Sequence, residues 1–143
     1  MRHYVLLSFA IAIALAVAGC TSNTASSTTI PTTPTAVTST DAFSGTVGPS
    51  GTTGFPFTVS TTGTVTLGLT SVAPLSTMAL GVGIATSDGT TCGSQISKND
   101  NARSGTSALA GTATSGSYCV VVYDSGNVPD GWSVSFTVQV VHP

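Results

Sequence analysis

The chain has 143 residues and a formal net charge of -2, and only 6% of its residues are charged, against about 25% in ordinary soluble domains. Beyond residue 20 the only basic residues are Lys98 and Arg103, so there is no basic patch to neutralise phosphates, which excludes nucleic-acid binding. Glutamate is absent, although it is one of the residues that usually fill helix surfaces. The composition therefore predicts an all-β domain with a polar surface of Thr, Ser, Gly and Asn.

A short basic start at residues 1–3 precedes an uncharged apolar run at residues 4–18. The run has the length of the apolar core of a secretory signal and is shorter than the about 20 residues that span a bilayer. It ends in Val17-Ala18-Gly19-Cys20, which resembles the bacterial lipobox. The resemblance implies cleavage after residue 19, a diacylglycerol on the Cys20 sulfur and a further acyl chain, such as palmitate, on the new amino group. Because Thr21 is not Asp, it also implies the outer membrane as destination in a two-membraned bacterium.

Two other interpretations of the N-terminus remain open. Ala16-Val17-Ala18 fits the small-x-small cleavage pattern and would release a soluble chain after Ala18, and the segment could also stay uncleaved as an anchor. Cysteine parity favours lipidation, because acylation of Cys20 leaves Cys92 and Cys119 as a disulfide pair suited to an oxidising compartment. A metal or redox site, or free reactive thiols, are the alternatives for this pair.

Residues 20–41 follow the signal and are rich in Ser and Thr, with Pro31 and Pro34 but no apolar periodicity. Such a segment cannot bury a face, so we predict a disordered or extended tether between the lipid and a domain at residues 42–143. O-linked sugars on its hydroxyl groups are an alternative that composition alone supports.

From residue 42 onward the apolar residues mostly alternate, which is typical of β-strands. Residues 43–47 open the domain, and residues 55–59 and 64–70, separated by Thr62-Gly63, are predicted to form a hairpin. Residues 80–84 form the next strand, and its glycines at 81 and 83 would let another backbone or layer approach closely.

The second half of the domain contains the charged residues and the longest strand. Residues 86–105 are predicted to be a long loop that holds most of the charge, namely Asp88, Lys98, Asp100 and Arg103. A short strand near Leu109, a central strand at residues 117–123 that is apolar on both faces, and a final strand at residues 132–140 follow. Seven or eight such strands predict a sandwich or a barrel.

The turn-and-core spacing of this region is carried by residues 43–47, 57–59, 63–67, 116–120 and 136–138. It resembles the bacterial pre-peptidase C-terminal type of module, which is appended to secreted proteases and also occurs alone in exported proteins. The resemblance implies an antiparallel, jelly-roll-like β-sandwich. Some relatives are described as binding calcium, collagen or carbohydrate, but this sequence has no acidic run that would match their ligands, so none of these activities is carried over.

Catalytic residues are not predicted. His3 leaves with the signal, and His142 stands next to the chain end, where a Ser-His-Asp arrangement would lack the packing and the orienting carboxylate that it needs. Asp88 and Asp100 are interpreted as solvated loop charges with Lys98 and Arg103 nearby.

The loop at residues 124–131 is the candidate ligand site. It and its flanks contain Tyr123, Asp124, Asn127, Asp130 and Trp132. The oxygen-bearing side chains could bind calcium, but their spacing is not that of an EF-hand and ordinary turn chemistry is the favoured interpretation, so no cofactor is expected. Trp132 shares parity with Val134 and Phe136 and is predicted to lie in or at the edge of the core. Together with one tyrosine it could alternatively form a platform for stacking on a sugar.

These features together predict a lipid-anchored protein of the bacterial cell envelope. Its partner in the membrane is the bilayer, through acylated Cys20, and its β-sandwich is expected to be a non-enzymatic binding or adhesion module for a glycan or a protein. The alternative is a structural or accessory envelope component without a small ligand. A large, flat apolar patch on one sheet face would favour that alternative.

Overall fold

A computed structural model describes residues 37–143, and within them the chain forms eight β-strands and no helix. The strands are β1 (Ser39–Val47), β2 (Thr52–Val59), β3 (Gly63–Ala73), β4 (Leu80–Ser87), β5 (Cys92–Ala102), β6 (Thr106–Ala113), β7 (Gly116–Tyr123) and β8 (Val134–His142). The predicted signal, Cys20 and most of the predicted tether lie outside the described residues. A helix able to cross a membrane is not found in residues 37–143.

The strands form two four-stranded antiparallel sheets, with the orders β1-β8-β3-β6 and β2-β7-β4-β5. Their inward-facing side chains meet in one apolar core, in which every second residue of β8 is buried. Antiparallel sheets with one covered and one solvated face produce this alternation. The predicted all-β antiparallel sandwich is therefore confirmed, and β7 is, as predicted, a central strand with residues 119–122 buried.

The predicted hairpin between the second and third strands is wrong. β2 pairs with β7, whereas β3 pairs with β6 and β8 in the other sheet. The turn before Gly63 carries the chain across the sandwich, where the Ser60 N–H donates to the carbonyl oxygen of the C-terminal residue Pro143. Both strands have one apolar face, and a crossover lets the two faces meet across the core. The sequence signals the reversal but does not reveal the partner of each strand.

The predicted long loop at residues 86–105 is also wrong in part, because β4 extends to Ser87 and β5 occupies residues 92–102 and pairs with β4. A tight turn at Asp88 reverses the chain between them. The hydroxyl and N–H groups of Thr91 and Thr90 donate to the Asp88 carboxylate, and these bonds, led by the Thr91 hydroxyl, hold the pKa of Asp88 well below its usual value. β5 is an edge strand exposed along almost its whole length, so it has no apolar alternation to detect.

β1 begins at Ser39, ahead of the predicted domain boundary at residue 42. Ser39 pairs with His142 at the end of β8, so the first and last strands of the domain are neighbours. The other end of the sandwich contains the β1–β2 turn and the loop between β7 and β8.

Candidate functional site

Asp124, the first acidic residue of the predicted ligand loop, organises the backbone around it. Its Oδ1 accepts hydrogen bonds from the N–H groups of Gly126, Asn127 and Val128, at 2.8, 2.8 and 3.0 Å. Its Oδ2 accepts one from the N–H of Ser50 at 3.0 Å. Partial burial acts to raise the pKa of Asp124, but the four N–H donors outweigh it and lower the pKa below its usual value. Oδ1 thus stabilises the turn that follows Asp124, as the favoured interpretation holds, and Oδ2 connects this turn to the β1–β2 turn.

The remaining residues of the predicted loop do not converge on a ligand. The Asn127 amide donates to the Ala79 carbonyl at 3.2 Å, and Asp130 and Trp132 are exposed. Among residues 37–143, no group of three or more His, Cys, Asp or Glu side chains is arranged to hold a metal ion.

Trp132 is not a core residue. It precedes β8 and is 44% exposed, and its backbone N–H donates to the Pro129 carbonyl oxygen at 3.1 Å. The alternation of β8 would place Trp132 on the buried face, but the turn at Pro129 takes the residue out of the strand. The prediction of a core position from alternation alone is therefore wrong. The structure pairs it with no other aromatic ring among the described residues.

The side chain of Tyr123 lies on the outer face of the β2-β7-β4-β5 sheet. Its ring covers Gly81 of β4, whose missing side chain leaves the required space. Its hydroxyl donates to Asp100 of β5, and Lys98 lies 3.1 Å from the same carboxylate. Burial, together with the bond to Asp100, raises the pKa of Tyr123 to about 12. The predicted close approach at Gly81 is therefore confirmed, and the group that approaches the glycine is the Tyr123 side chain.

The predicted pairing of Cys92 and Cys119 is supported, since the two Cα atoms lie 5.5 Å apart and the sulfur atoms are at bonding distance. The bridge connects the start of β5 with β7 over the outer face of the sheet. Cys119 is fully buried there beside Ala85 and Val121. A Cβ atom on Gly54 of β2 would lie 2.5 Å from the Cys92 sulfur, so this glycine leaves the space that the bridge occupies.

The expectation that His142 would lack packing and a neighbouring carboxylate is wrong, because pairing with β1 buries the end of β8. The His142 ring lies against Phe57, with centroids 5.3 Å apart, and its Nε2 is 3.1 Å from the Asp41 carboxylate. A nucleophilic hydroxyl or thiol group does not contact the ring through any hydrogen bond within residues 37–143.

An apolar cleft of about 250 Å³ lies between the edges of the two sheets and is here named the β5–β6 cleft. Core side chains from both sheets form its floor: Phe57, Val65, Leu67, Ile84 and Leu109. Ile96 and Ser97 of β5 stand on one side of the mouth, and Thr112, Thr114 and Tyr118 lie on the other. Apolar walls with a few polar groups are typical of ligand sites, and this cleft is somewhat smaller than their usual volume of about 300 Å³ or more.

Two residues shape the cleft. Ile96 is 58% exposed, an unusual position for an isoleucine. Gly111 of β6 pairs with Val65, whose side chain is buried, so the absent side chain of Gly111 would point inward. A Cβ atom built there meets no atom within 4 Å. The cleft thus has room where an ordinary strand residue would fill it.

The Tyr118 hydroxyl closes one end of the cleft, since it donates to the Thr114 carbonyl oxygen at 3.0 Å and lies 3.2 Å from the Thr114 hydroxyl. The ring of Tyr118 packs on Phe57 at 6.0 Å between centroids. The sequence does not reveal this site, because the lining residues come from six different strands, β2 to β7. The single apolar residue Ile96 within an otherwise polar stretch was the one local signal.

The chain matches no model of a known protein family and no curated protein sequence. The lipobox and the pre-peptidase C-terminal resemblance therefore rest on the motifs of the sequence itself.

Proposed function

We propose that this chain is a lipoprotein of the bacterial cell envelope whose β-sandwich is a non-enzymatic binding module. The β5–β6 cleft carries this proposal, because it is a concave apolar site without a charged side chain in its lining. Apolar walls suit a ligand that brings an apolar group and favour a protein ligand over a glycan. Sugar rings are usually bound by stacking on exposed aromatic rings, and Trp132 stands alone at another end of the domain.

The outer face of the β1-β8-β3-β6 sheet does not favour the alternative of a structural component. That role needs a flat apolar patch, whereas the outward residues there are mainly small and polar, including Thr46, Thr64, Thr66, Ser135, Thr137 and Gln139. One apolar side chain, Val141, interrupts them at 36% exposure. Association through this face would bury little apolar area.

The anchor is proposed from the sequence and the cysteine pairing together. Of the three cysteines, Cys92 and Cys119 are close enough to be bonded to each other, which leaves Cys20 for lipid. Cleavage before the acylated Cys20 would remove residues 1–19, and residues 20–41 would connect the lipid to the domain. Two or more acyl chains hold a protein firmly at a bilayer, whereas one holds it only marginally.

The anchor is tested by intact mass of the protein extracted from the membrane of its native host, with and without reduction. We expect a mature chain that starts at Cys20 with added acyl mass and two thiols that appear only after reduction. The Cys20→Ser variant should leave the membrane fraction while keeping the Cys92–Cys119 bridge. A soluble wild-type product that starts at Gly19, or three free thiols, would contradict the proposal.

A further inference from the structure

Each sheet of the sandwich has two edge strands, and three of the four carry features that oppose pairing with another strand. β2 contains Pro56, β5 contains Lys98 and Asp100, and β1 contains Asp41. Proline and charged residues at sheet edges are common means of preventing edge-to-edge association. β6 has neither a proline nor a charge along Thr106–Ala113. It is the one unprotected edge among the described strands.

The β5–β6 cleft runs along this edge. Residues 109–113 all line it in succession, although alternate side chains of a strand point to opposite faces. The backbone edge of β6 therefore borders the cleft. Side chains cover the backbone only at its two ends, where Asn99 donates to the Ala108 carbonyl at 2.9 Å and Tyr118 donates to that of Thr114. Between them, no described side chain bonds to the backbone of residues 109–113.

We propose that β6 and the β5–β6 cleft together bind an extended peptide segment of a partner protein. The segment pairs with the backbone of residues 109–113 and places one large apolar side chain in the cleft beside Gly111. Main-chain bonds to an edge strand supply affinity in this kind of recognition, and a pocket for alternate side chains supplies specificity. This inference rests on the proposed binding function and specifies its ligand.

Size and charge define the segment. A dry apolar cavity of about 150 Å³ can take benzene, so about 250 Å³ accommodates a phenylalanine side chain. The lining and β6 have no charged group, and a charged side chain moved into an apolar site without a partner is strongly disfavoured. The residue that enters the cleft is therefore large, apolar and uncharged.

The test uses the acylated full-length protein in lipid nanodiscs, with empty nanodiscs as blank. The probe is a fluorescently labelled, end-blocked peptide of sequence Thr-Ser-Thr-Phe-Thr-Ser-Thr, and binding is followed by fluorescence anisotropy. We expect saturable binding that weakens about tenfold or more when the peptide phenylalanine is replaced by alanine. Methylation of alternate backbone nitrogens on the pairing edge of the peptide should abolish binding. Equal binding by the methylated peptide would overturn the strand pairing.

Two neighbouring substitutions locate the site. Gly111→Phe fills the cleft and should abolish binding of the probe, whereas Thr64→Phe places the same ring on the exposed outer face of the neighbouring strand β3 and should leave the affinity within about twofold. Ile96→Ser, at the exposed mouth, should weaken binding in a protein whose core is untouched. Failure of the probe to bind, or equal binding by Gly111→Phe and wild type, would overturn the proposal.

A dimer detected by light scattering and dissociated by Gly111→Phe would also overturn it, since a second copy would then be the occupant. Such results leave the lipid anchor intact, because the acyl mass on Cys20 is measured independently of the cleft.

Discussion

Tyr123 reaches Asp100 across an intervening strand. The tyrosine is on β7 and the aspartate on β5, with Gly81 of β4 between them, and the ring crosses over that glycine to place its hydroxyl on the carboxylate. The pKa of Asp100 is lowered, first by this bond and then by Lys98. The contact therefore connects the otherwise exposed edge strand β5 to the centre of its sheet.

We expect Tyr123→Phe to lower the melting temperature at pH 7, because the ring is kept and only the hydrogen bond is lost. The pKa of Tyr123 is raised to about 12 in the fold from about 10 in an unfolded chain. The stabilisation of the fold by the Tyr123 hydroxyl is therefore complete below pH about 10 and is lost as the pH rises through about 12. Melting curves of wild type and variant should converge over that interval. Tyr118→Phe is the matched control, and a difference between wild type and Tyr123→Phe that persists above pH 12 would contradict this account.

The Cys92–Cys119 bridge closes a segment with a sequence separation of 27. The chain-entropy model gives a stabilisation of about 3.5 kcal/mol for a loop of this length. We expect the double variant Cys92→Ala, Cys119→Ala to lose about this much free energy of unfolding, measured by urea denaturation under oxidising conditions. Reduction of the wild type should give a similar loss. An unchanged urea midpoint would show that the bridge does not constrain the unfolded chain.

Gly54 provides a test of the contact between the bridge and β2. Gly54→Ala places a methyl group 2.5 Å from the Cys92 sulfur, so we expect a destabilisation of about 1–3 kcal/mol, typical of overpacking. In the variant that lacks both cysteines, the destabilisation by Gly54→Ala should largely disappear. A double-mutant cycle would measure this difference as the coupling energy between Gly54 and the bridge. Gly111→Ala, where the new methyl group has open space, serves as the control and should be neutral or stabilising. Equal costs of Gly54→Ala in both backgrounds would exclude the bridge as the cause.

We expect Asp124 to contribute to the stability of the fold, and we expect calcium to leave that stability unchanged. Asp124→Ala leaves four backbone N–H groups without their acceptor, and we expect a loss of about 2 kcal/mol. Because the pKa of Asp124 is lowered in the fold, its contribution is present above the usual pKa of about 3.9 and is lost as the pH falls through the folded value. Asp130→Ala, which removes an exposed carboxylate, is the control. A rise in melting temperature with millimolar calcium that Asp124→Ala abolishes would reverse the interpretation of this loop.

The sequence predicted the strands that have one buried face, because burial imposes alternation on residues such as those of β8. It did not predict β5, which is exposed along nearly its whole length and is positioned by β4, the disulfide bridge and Tyr123. Contacts that are distant in sequence determine such a strand, and a local pattern does not contain them. The Asp124 turn was predictable for the opposite reason, since three of its four hydrogen bonds lie within four residues.

The cleft illustrates the same limit for the candidate site. Gly111 is an ordinary glycine in the sequence, and only its pairing with Val65 shows that its missing side chain opens a space between two sheets. Trp132 illustrates the converse, because its parity with Val134 predicted burial and the turn at Pro129 placed it in solvent. Which strand edges face each other depends on the sheet order, and the pattern of apolar residues does not specify that order.

The pairing of Ser39 with His142 has a mechanical consequence. A pulling force that enters the domain from its N-terminal side acts first on β1, which pairs with β8 along all nine of its residues. The hydrogen bonds of an antiparallel pair run perpendicular to the strands, so tension along β1 loads the whole ladder in shear, and its bonds share the load instead of breaking one after another. The pairing of β1 with β8 therefore makes the point where the chain enters the sandwich resistant to unfolding by a force that pulls along β1.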